Sequence, residues 1–183
     1  MTMDLDRARR ILAESDVLVS AEQCSAATTR MAAEITRAIG SEGPLVLAVM
    51  GGATVFAGHL LSQLAFPLEF DYIHVSRYGD KTRGGSLTWK VEPSAQVEGR
   101  TVLVLDDILD EGETMAEIRR RVLGMGATRF LCAVFCEKMI NKPKPIVADF
   151  VGISVPERYV FGYGMDVAGL WRNLPAVHAL AGH

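Results

Sequence analysis

The sequence predicts an α/β domain with a central, mostly parallel sheet flanked by helices, and three observations carry that prediction. Helical and strand periodicities alternate along all 183 residues, without repeats, low-complexity tracts or a long linker. Residues 44–64 run from the apolar PLVLAVM through Gly51-Gly52 into ATVFAGHLLSQL, a strand, glycine turn and helix in immediate succession. Residues 101–115, TVLVLDDILDEGETM, carry an apolar run into a cluster of acids before helical spacing resumes.

The elements follow in order. Ser20-Ala21-Glu22-Gln23 has the form of a capping box, and Cys24, Ala27, Met31, Ile35 and Ala38 recur along one face of a helix that should stop near Gly40. After the 44–64 unit, LEFDYIHVS (68–76) has the β-branched and aromatic content of a strand. RYGDKTRGG (77–85) is polar, rich in glycine and without a hydrophobic period, so it reads as a mobile loop. SLTWKVEP (86–93) and TVLVL (101–105) are strands separated by a turn around Glu98-Gly99. Thr114 should open a helix whose inner face carries Met115, Ile118, Val122 and Met125. TRFLCAVFCEK (128–138) is a further buried strand, and the Pro-, Gly- and aromatic-rich remainder looks irregular, with two short strands, and suited to a lid.

Composition limits the function. Lysine and arginine number 19 against 22 acids, a formal charge of -3, which disfavours a nucleic-acid binder working through a basic surface. Any phosphate must therefore be held locally. The three cysteines, Cys24, Cys132 and Cys136, have no Cys-x-x-Cys spacing and read as reduced, buried thiols. The first sixteen residues, MTMDLDRARRILAESD, are charged throughout rather than signal-like, and no apolar run reaches the ~20 residues that span a bilayer, so a cytoplasmic protein is expected.

The acidic loop is the candidate site, because open parallel sheets bind ligands beyond the carboxyl ends of their strands. Gly112 permits a left-handed turn, so that the amides of residues 110–114 can converge on an anion at the helix entrance, with the Thr114 hydroxyl beside them. A phosphate monoester suits such a nest. Asp106 and Asp107 can accept hydrogen bonds from vicinal hydroxyls or reach a magnesium ion, and Asp110 can exchange a proton with a heterocycle. Phosphate, diol and base together make a nucleotide. His59, His74, His178 and His183 show no partner pattern, and Arg119-Arg120-Arg121 is most simply a solvated helix face.

VLVLDDILDEGET, residues 102–114, resembles the phosphoribosyl-diphosphate-binding motif of the type I phosphoribosyltransferases. The resemblance extends from about residue 16 to residue 175 and implies that family's fold, with a core over about 16–155 and a small irregular hood from the N-terminal segment and about 156–183. It implies that Asp106, Asp107, Ile108, Leu109, Asp110, Glu111, Gly112, Glu113 and Thr114 hold phosphoribosyl diphosphate. An aspartate at position 110 resembles the hypoxanthine-guanine branch, where it handles the purine N7 proton. Lys138 matches the lysine that donates to the 6-oxo group, Tyr159 the aromatic that stacks on the base, and Val160 the residue that supplies backbone contacts to its edge.

Asp166 resembles the acid that binds a magnesium ion carried by the diphosphate, joining Asp106 and Asp107 as a metal ligand and Lys138, Tyr159 and Val160 as a purine-site residue, and Arg172 resembles a diphosphate-binding arginine. Two departures stand out. Val49-Met50-Gly51-Gly52 occupies the place of a Leu-Lys-Gly-Gly diphosphate loop, with Met50 for the lysine, and Arg77-Tyr78 stands for the Ser-Tyr pair of the catalytic loop, leaving Tyr78 as the residue carried over. The function implied is transfer of 5-phosphoribosyl from phosphoribosyl diphosphate to hypoxanthine or guanine in a homodimer or homotetramer. The alternatives are a xanthine-preferring enzyme and a non-enzymatic nucleotide sensor on the same fold.

Overall fold

The structure, a computed structural model, describes residues 4–77 and 87–182. In chain order its elements are α1 (Leu5–Glu14), β1 (Asp16–Val19), α2 (Ala21–Ile39), β2 (Leu45–Met50), α3 (Thr54–Leu61), β3 (Glu69–Arg77), β4 (Leu87–Val91), β5 (Thr101–Leu109), α4 (Glu113–Gly124), β6 (Arg129–Lys138), β7 (Phe150–Val155), β8 (Val160–Phe161) and β9 (Val177–Ala179).

A six-stranded sheet in the order β4-β3-β2-β5-β6-β7 forms the centre. Its pairings are parallel except β3 with β4, which is antiparallel and sits at one edge. The central strands are apolar on both faces because helices cover both, as parallel strands require. Residues alternate between the two layers: Val46, Leu103, Leu105 and Phe135 meet Met31 and Ile35 of α2 and Phe56 and Leu60 of α3. Leu47, Val102, Val104 and Val134 meet Met115, Ile118 and Val122 of α4 on the other side. Each such side chain, fully buried, contributes about 1.5–3 kcal/mol of transfer free energy.

The capping box at Ser20 forms as the sequence predicts, with the Gln23 amide donating to Ser20 Oγ at 3.3 Å and the Ser20 amide donating to Gln23 Oε1 at 2.8 Å. At the far end of α2 the buried residue is Ile39, not Ala38, because four steps from Ile35 keep the apolar face in register. Two further elements differ from the sequence reading. The charged N-terminal segment contains helix α1, capped at Asp4, whose neighbour in space is the indole of Trp171, donating to Ala8 O at 3.0 Å. Phe150–Val155, expected in an irregular tail, is β7 and extends the central sheet alongside β6.

A separate antiparallel sheet, β1-β9-β8, ties the N-terminal segment to the end of the chain. Cys24, Cys132 and Cys136 are unbonded and buried, and burial pushes the thiols of Cys24 and Cys132 up to about 11 and about 12. They act as small apolar groups. Among the described residues, no helix is long and apolar enough to cross a membrane.

Candidate functional site

Strand β5 runs four residues beyond the expected TVLVL, so Asp106 and Asp107 lie within the strand and not in the loop after it. Parallel pairing to β6 continues past them, through Ile108 opposite Cys136 and Leu109 opposite Glu137. The strand's alternation reverses across the two acids. Before them even-numbered Val102 and Val104 face the α4 layer, whereas after them it is odd-numbered Leu109 that does. Adjacent residues of a regular strand point to opposite faces, and the reversal accounts for both carboxylates lining one cavity.

That cavity, of about 380 Å³, is lined by Asp106, Asp107, Ile108, Leu109, Asp110, Glu111, Gly112, Thr114 and Met115. Gly112 is in the left-handed region at φ 84° and is the N-cap of α4. A side chain there would be strained, and glycine brings none with which to cap the helix. The positive end of a twelve-residue helix thus opens on the cavity.

Asp107 is 9% exposed and Asp106 partly so, and the Asp107 amide donates to Asp106 Oδ1 at 2.9 Å. Removal from water pushes both carboxyls above the ordinary carboxylate range, and for Asp106 the neighbouring Asp107 charge adds to the effect, while Arg172 opposes it in both. A carboxyl raised in this way binds its proton more tightly folded than unfolded. Its contribution is fully present below the unfolded value of about 4 and is lost as pH rises through the folded one. At neutral pH the pair therefore destabilises the ligand-free fold. Asp106→Asn should raise the unfolding midpoint at pH 7.5 by about 3 °C, the equivalent of about 1 kcal/mol in a domain of this size, with a smaller gain at pH 5. Thermal unfolding at the two pH values measures this, and a lower midpoint at pH 7.5 would contradict it.

Arg172 joins this end of the site to the C-terminal segment. Its guanidinium donates to Gly164 O at 2.6 Å, pairs with Asp166 and lies 3.8 Å from Asp107 Oδ2. The other Asp166 oxygen accepts from the Gly169 amide at 2.6 Å. The Tyr159 hydroxyl donates to Asp166 O at 3.1 Å while the side chain stays 46% exposed, and Val160 is buried in β8. Asp107, Arg172, Asp166 and Tyr159 thus form one connected chain of contacts. The glycine turn packs directly on it: a methyl group on Gly52 would lie 2.1 Å from Asp107 Oδ2. The peptide between Met50 and Gly51 is cis, and Thr54 Oγ1 donates to Gly51 O at 2.9 Å and to Met50 Sδ at 3.2 Å.

At the opposite end, Lys138 Nζ meets Asp110 Oδ2 at 2.6 Å, the lysine side chain 15% exposed and the aspartate 48%. An exposed half of this kind makes a weak tie, readily exchanged for a ligand. The acid from the end of β5 and the amine from the end of β6 stand side by side because these strands are neighbours in the sheet. Tyr78 lies outside the described residues.

Three contributors escaped the sequence reading. Lys144 reaches back to the ends of β5 and β6. Tyr163 is buried behind the site, with its hydroxyl 2.9 Å from Thr28 Oγ1 and 2.8 Å from His59 Nδ1, which gives His59 a partner. Gly164 sits against Gly52 so closely that a methyl group on it would be 2.1 Å from Gly52 O. The Gly-x-Gly of Gly162-Tyr163-Gly164 was the available signal, since φ is positive at all three residues.

Among the described residues, no group of three or more His, Cys, Asp or Glu side chains forms a metal cage. Two neighbouring carboxylates with raised affinity for a proton, partly opposed by the charge of Arg172, nevertheless suit a divalent cation that takes its remaining ligands from a bound phosphate ester and water.

The sequence pattern of the phosphoribosyl transferase domain matches residues 15–168. The hypoxanthine-guanine phosphoribosyltransferase of Bacillus subtilis (strain 168) is 33% identical over 165 residues, covering 90% of this chain and 92% of that one. The bifunctional protein TilS/HprT of Listeria monocytogenes is 34% identical over 90% of this chain, which spans only 26% of that longer protein. A solved hypoxanthine-guanine-xanthine phosphoribosyltransferase superposes with a TM-score of 0.82 at 32% identity, covering 90% of this chain and 96% of the other.

Proposed function

The chain belongs to the phosphoribosyl transferase family, and from that premise we propose that it moves the 5-phosphoribosyl group of phosphoribosyl diphosphate to N9 of hypoxanthine or guanine, giving IMP or GMP and diphosphate. The observation that carries the choice of substrate is the Asp110–Lys138 pair, an acid and an amine side by side, the acid lining a cavity at the entrance of α4 that suits a phosphate. A 6-oxopurine offers matching groups along one edge: N7 with its proton for the acid, and O6 as acceptor for the amine. Adenine carries a donor where the amine needs an acceptor, and would leave Lys138 unpaired.

In this reading the 5-phosphate occupies the turn from Asp110 to Thr114 at the entrance of α4, and the ribose hydroxyls donate to Asp106 and Asp107. Tyr159 stacks on the base and the Val160 backbone meets its edge. As the glycosidic bond to diphosphate lengthens, positive charge grows on the ribose and negative charge on the leaving group. Arg172 and the backbone of Met50, Gly51 and Gly52 stabilise the latter. Asp110 takes the N7 proton as N9 bonds to C1 of the ribose, and Tyr78 on its loop closes over the reacting centre to exclude water. The residues suited to hold magnesium are Asp106, Asp107 and Asp166; when bound, it supplies charge neutralisation for the diphosphate.

Asp166 must then share the carboxylate oxygen that pairs with Arg172. We place the enzyme in the cytoplasm, in keeping with three unbonded cysteines, and as a homodimer or homotetramer. Acceptance of xanthine is a second reading, favoured by the likeness to a hypoxanthine-guanine-xanthine phosphoribosyltransferase.

A spectrophotometric assay with phosphoribosyl diphosphate, magnesium and each of hypoxanthine, guanine, xanthine and adenine tests the proposal. Turnover is expected with hypoxanthine and guanine and not with adenine. An enzyme inert toward every 6-oxopurine would overturn the reading and leave a nucleotide-sensing protein in its place.

A further inference from the structure

We propose that Lys144 is a positioning residue that sets the separation between Asp110 and Lys138, and through it the enzyme's grip on the base; the inference rests on the proposed function above. The last paired rung between β5 and β6 is Leu109 opposite Glu137, so the residues that carry the acid and the amine lie just beyond the ladder. There the sheet no longer fixes how far apart the two chains stand. Lys144 spans that point. Its Nζ donates to Leu109 O at 3.0 Å and to Lys138 O at 2.7 Å, and it pairs with Glu137 Oε1 at 3.4 Å.

An ammonium has three protons to donate, and here three acceptors, drawn from both strands, surround it. The side chain is only 11% exposed, so these are charge-assisted bonds largely removed from water. One of the carbonyls belongs to the residue immediately before Asp110, and the other belongs to Lys138 itself. Contact between Asp110 and Lys138, half exposed on the acid's side, is a poor ruler by comparison, and it must part when a base enters. Lys144 holds the frame while that contact is exchanged.

A second observation points the same way. The Lys144-Pro145-Ile146 segment packs beneath the turn at Gly112, where a methyl group on the glycine would meet Pro145 Cδ at 3.3 Å and Lys144 Cβ and Ile146 Cγ2 at 3.4 Å. Pro143 and Pro145 flank the lysine and fix the backbone dihedral on each side of it. A stiff segment thus backs both the phosphate turn and the base-reading pair, and Lys144 carries its charged contact with the ends of β5 and β6. Since the phosphate turn keeps its own packing against Pro145 and Ile146, loss of the ammonium should be felt chiefly by the base.

Steady-state kinetics of Lys144→Met and Lys144→Arg, with each substrate varied in turn, test the proposal. Lys144→Met keeps the aliphatic stem and removes the donors. Its KM for hypoxanthine and guanine should rise by about tenfold or more, and its KM for phosphoribosyl diphosphate should move by less than about threefold, since positioning errors fall on the group they misplace. Lys144→Arg, which restores donors to the two carbonyls, should recover most of the base affinity. If Lys144→Met does not fold, Lys144→Gln, shorter and neutral but still a donor, should show the same split to a smaller degree. Unchanged KM for the bases, or an equal loss for both substrates that tracks a lowered unfolding midpoint, would overturn the positioning role. Absence of turnover in the unsubstituted enzyme would instead sink the functional reading, so the two failures are distinguishable.

Discussion

Asp110→Asn should lower turnover of hypoxanthine and guanine about 100- to 10,000-fold, the range typical for loss of a general acid–base group, while the affinity for phosphoribosyl diphosphate changes by less than about threefold. The two effects separate because of where the residue sits. Asp110 is the first residue beyond β5, on the cavity rim beside Lys138, whereas the carboxylates assigned to the ribose lie three and four residues further back, within the strand. Asparagine keeps the shape and can still accept a hydrogen bond from N7–H, but it cannot take the proton. Its loss is therefore a loss in the reacting complex and not in assembly of the first substrate. Single-turnover kinetics, set beside calorimetric titration with phosphoribosyl diphosphate and magnesium, measure the two quantities. Equal losses in both would make Asp110 a binding residue and would remove the proton transfer from the mechanism.

The site was legible in the sequence where a local pattern and a fold rule coincide. VLVLDDILDEGET places acids, a left-handed glycine and a helix start at the edge where parallel sheets bind ligands, and every residue of its loop lines one cavity except Glu113. Strand-to-strand adjacency was legible only through family resemblance, since nothing local says that β6 lies next to β5 and brings Lys138 to Asp110. The strand boundary was misplaced because Asp is a poor strand former, and tertiary pairing to Cys136 and Glu137 overrides that preference. Helix α1 was hidden by charge: of its ten residues only Ala8 is buried, so there is little apolar period to read. Lys144 was invisible for a different reason. A lysine between prolines looks like a solvated loop residue, and its burial arises from carbonyls at the ends of β5 and β6, the first of them far from it in sequence.

Gly52→Ala and Gly164→Ala should both sharply lower activity, through different physical routes that binding and stability measurements can separate. The two glycines pack on one another and on Asp107. A methyl group at position 52 meets a side chain, lying 2.1 Å from Asp107 Oδ2 and 2.5 Å from its Cγ, whereas one at position 164 meets backbone, 2.1 Å from Gly52 O. Carboxylates can swing aside, but a peptide carbonyl in the wall of the site cannot move without the turn that carries it. Gly164 is also at φ 108°, a conformation that side chains rarely adopt. Gly164→Ala therefore combines overpacking with backbone strain and should cost about 3–5 kcal/mol of folding stability, seen as a fall in unfolding midpoint of roughly 10 °C or more. Gly52→Ala should leave the midpoint within about 3 °C, since the buried Asp107 carboxylate is displaced toward Arg172 and the cavity and away from a crowded, desolvated position. On the proposed reading it should nevertheless weaken phosphoribosyl diphosphate and magnesium binding by about 100-fold, because the displaced carboxylate would no longer meet the ribose and the added methyl would occupy the surface proposed for the diphosphate. A well-folded Gly52→Ala protein with unaltered affinity would show that the glycine turn and Asp107 do not share a ligand, and the diphosphate would then have to be placed elsewhere in the site.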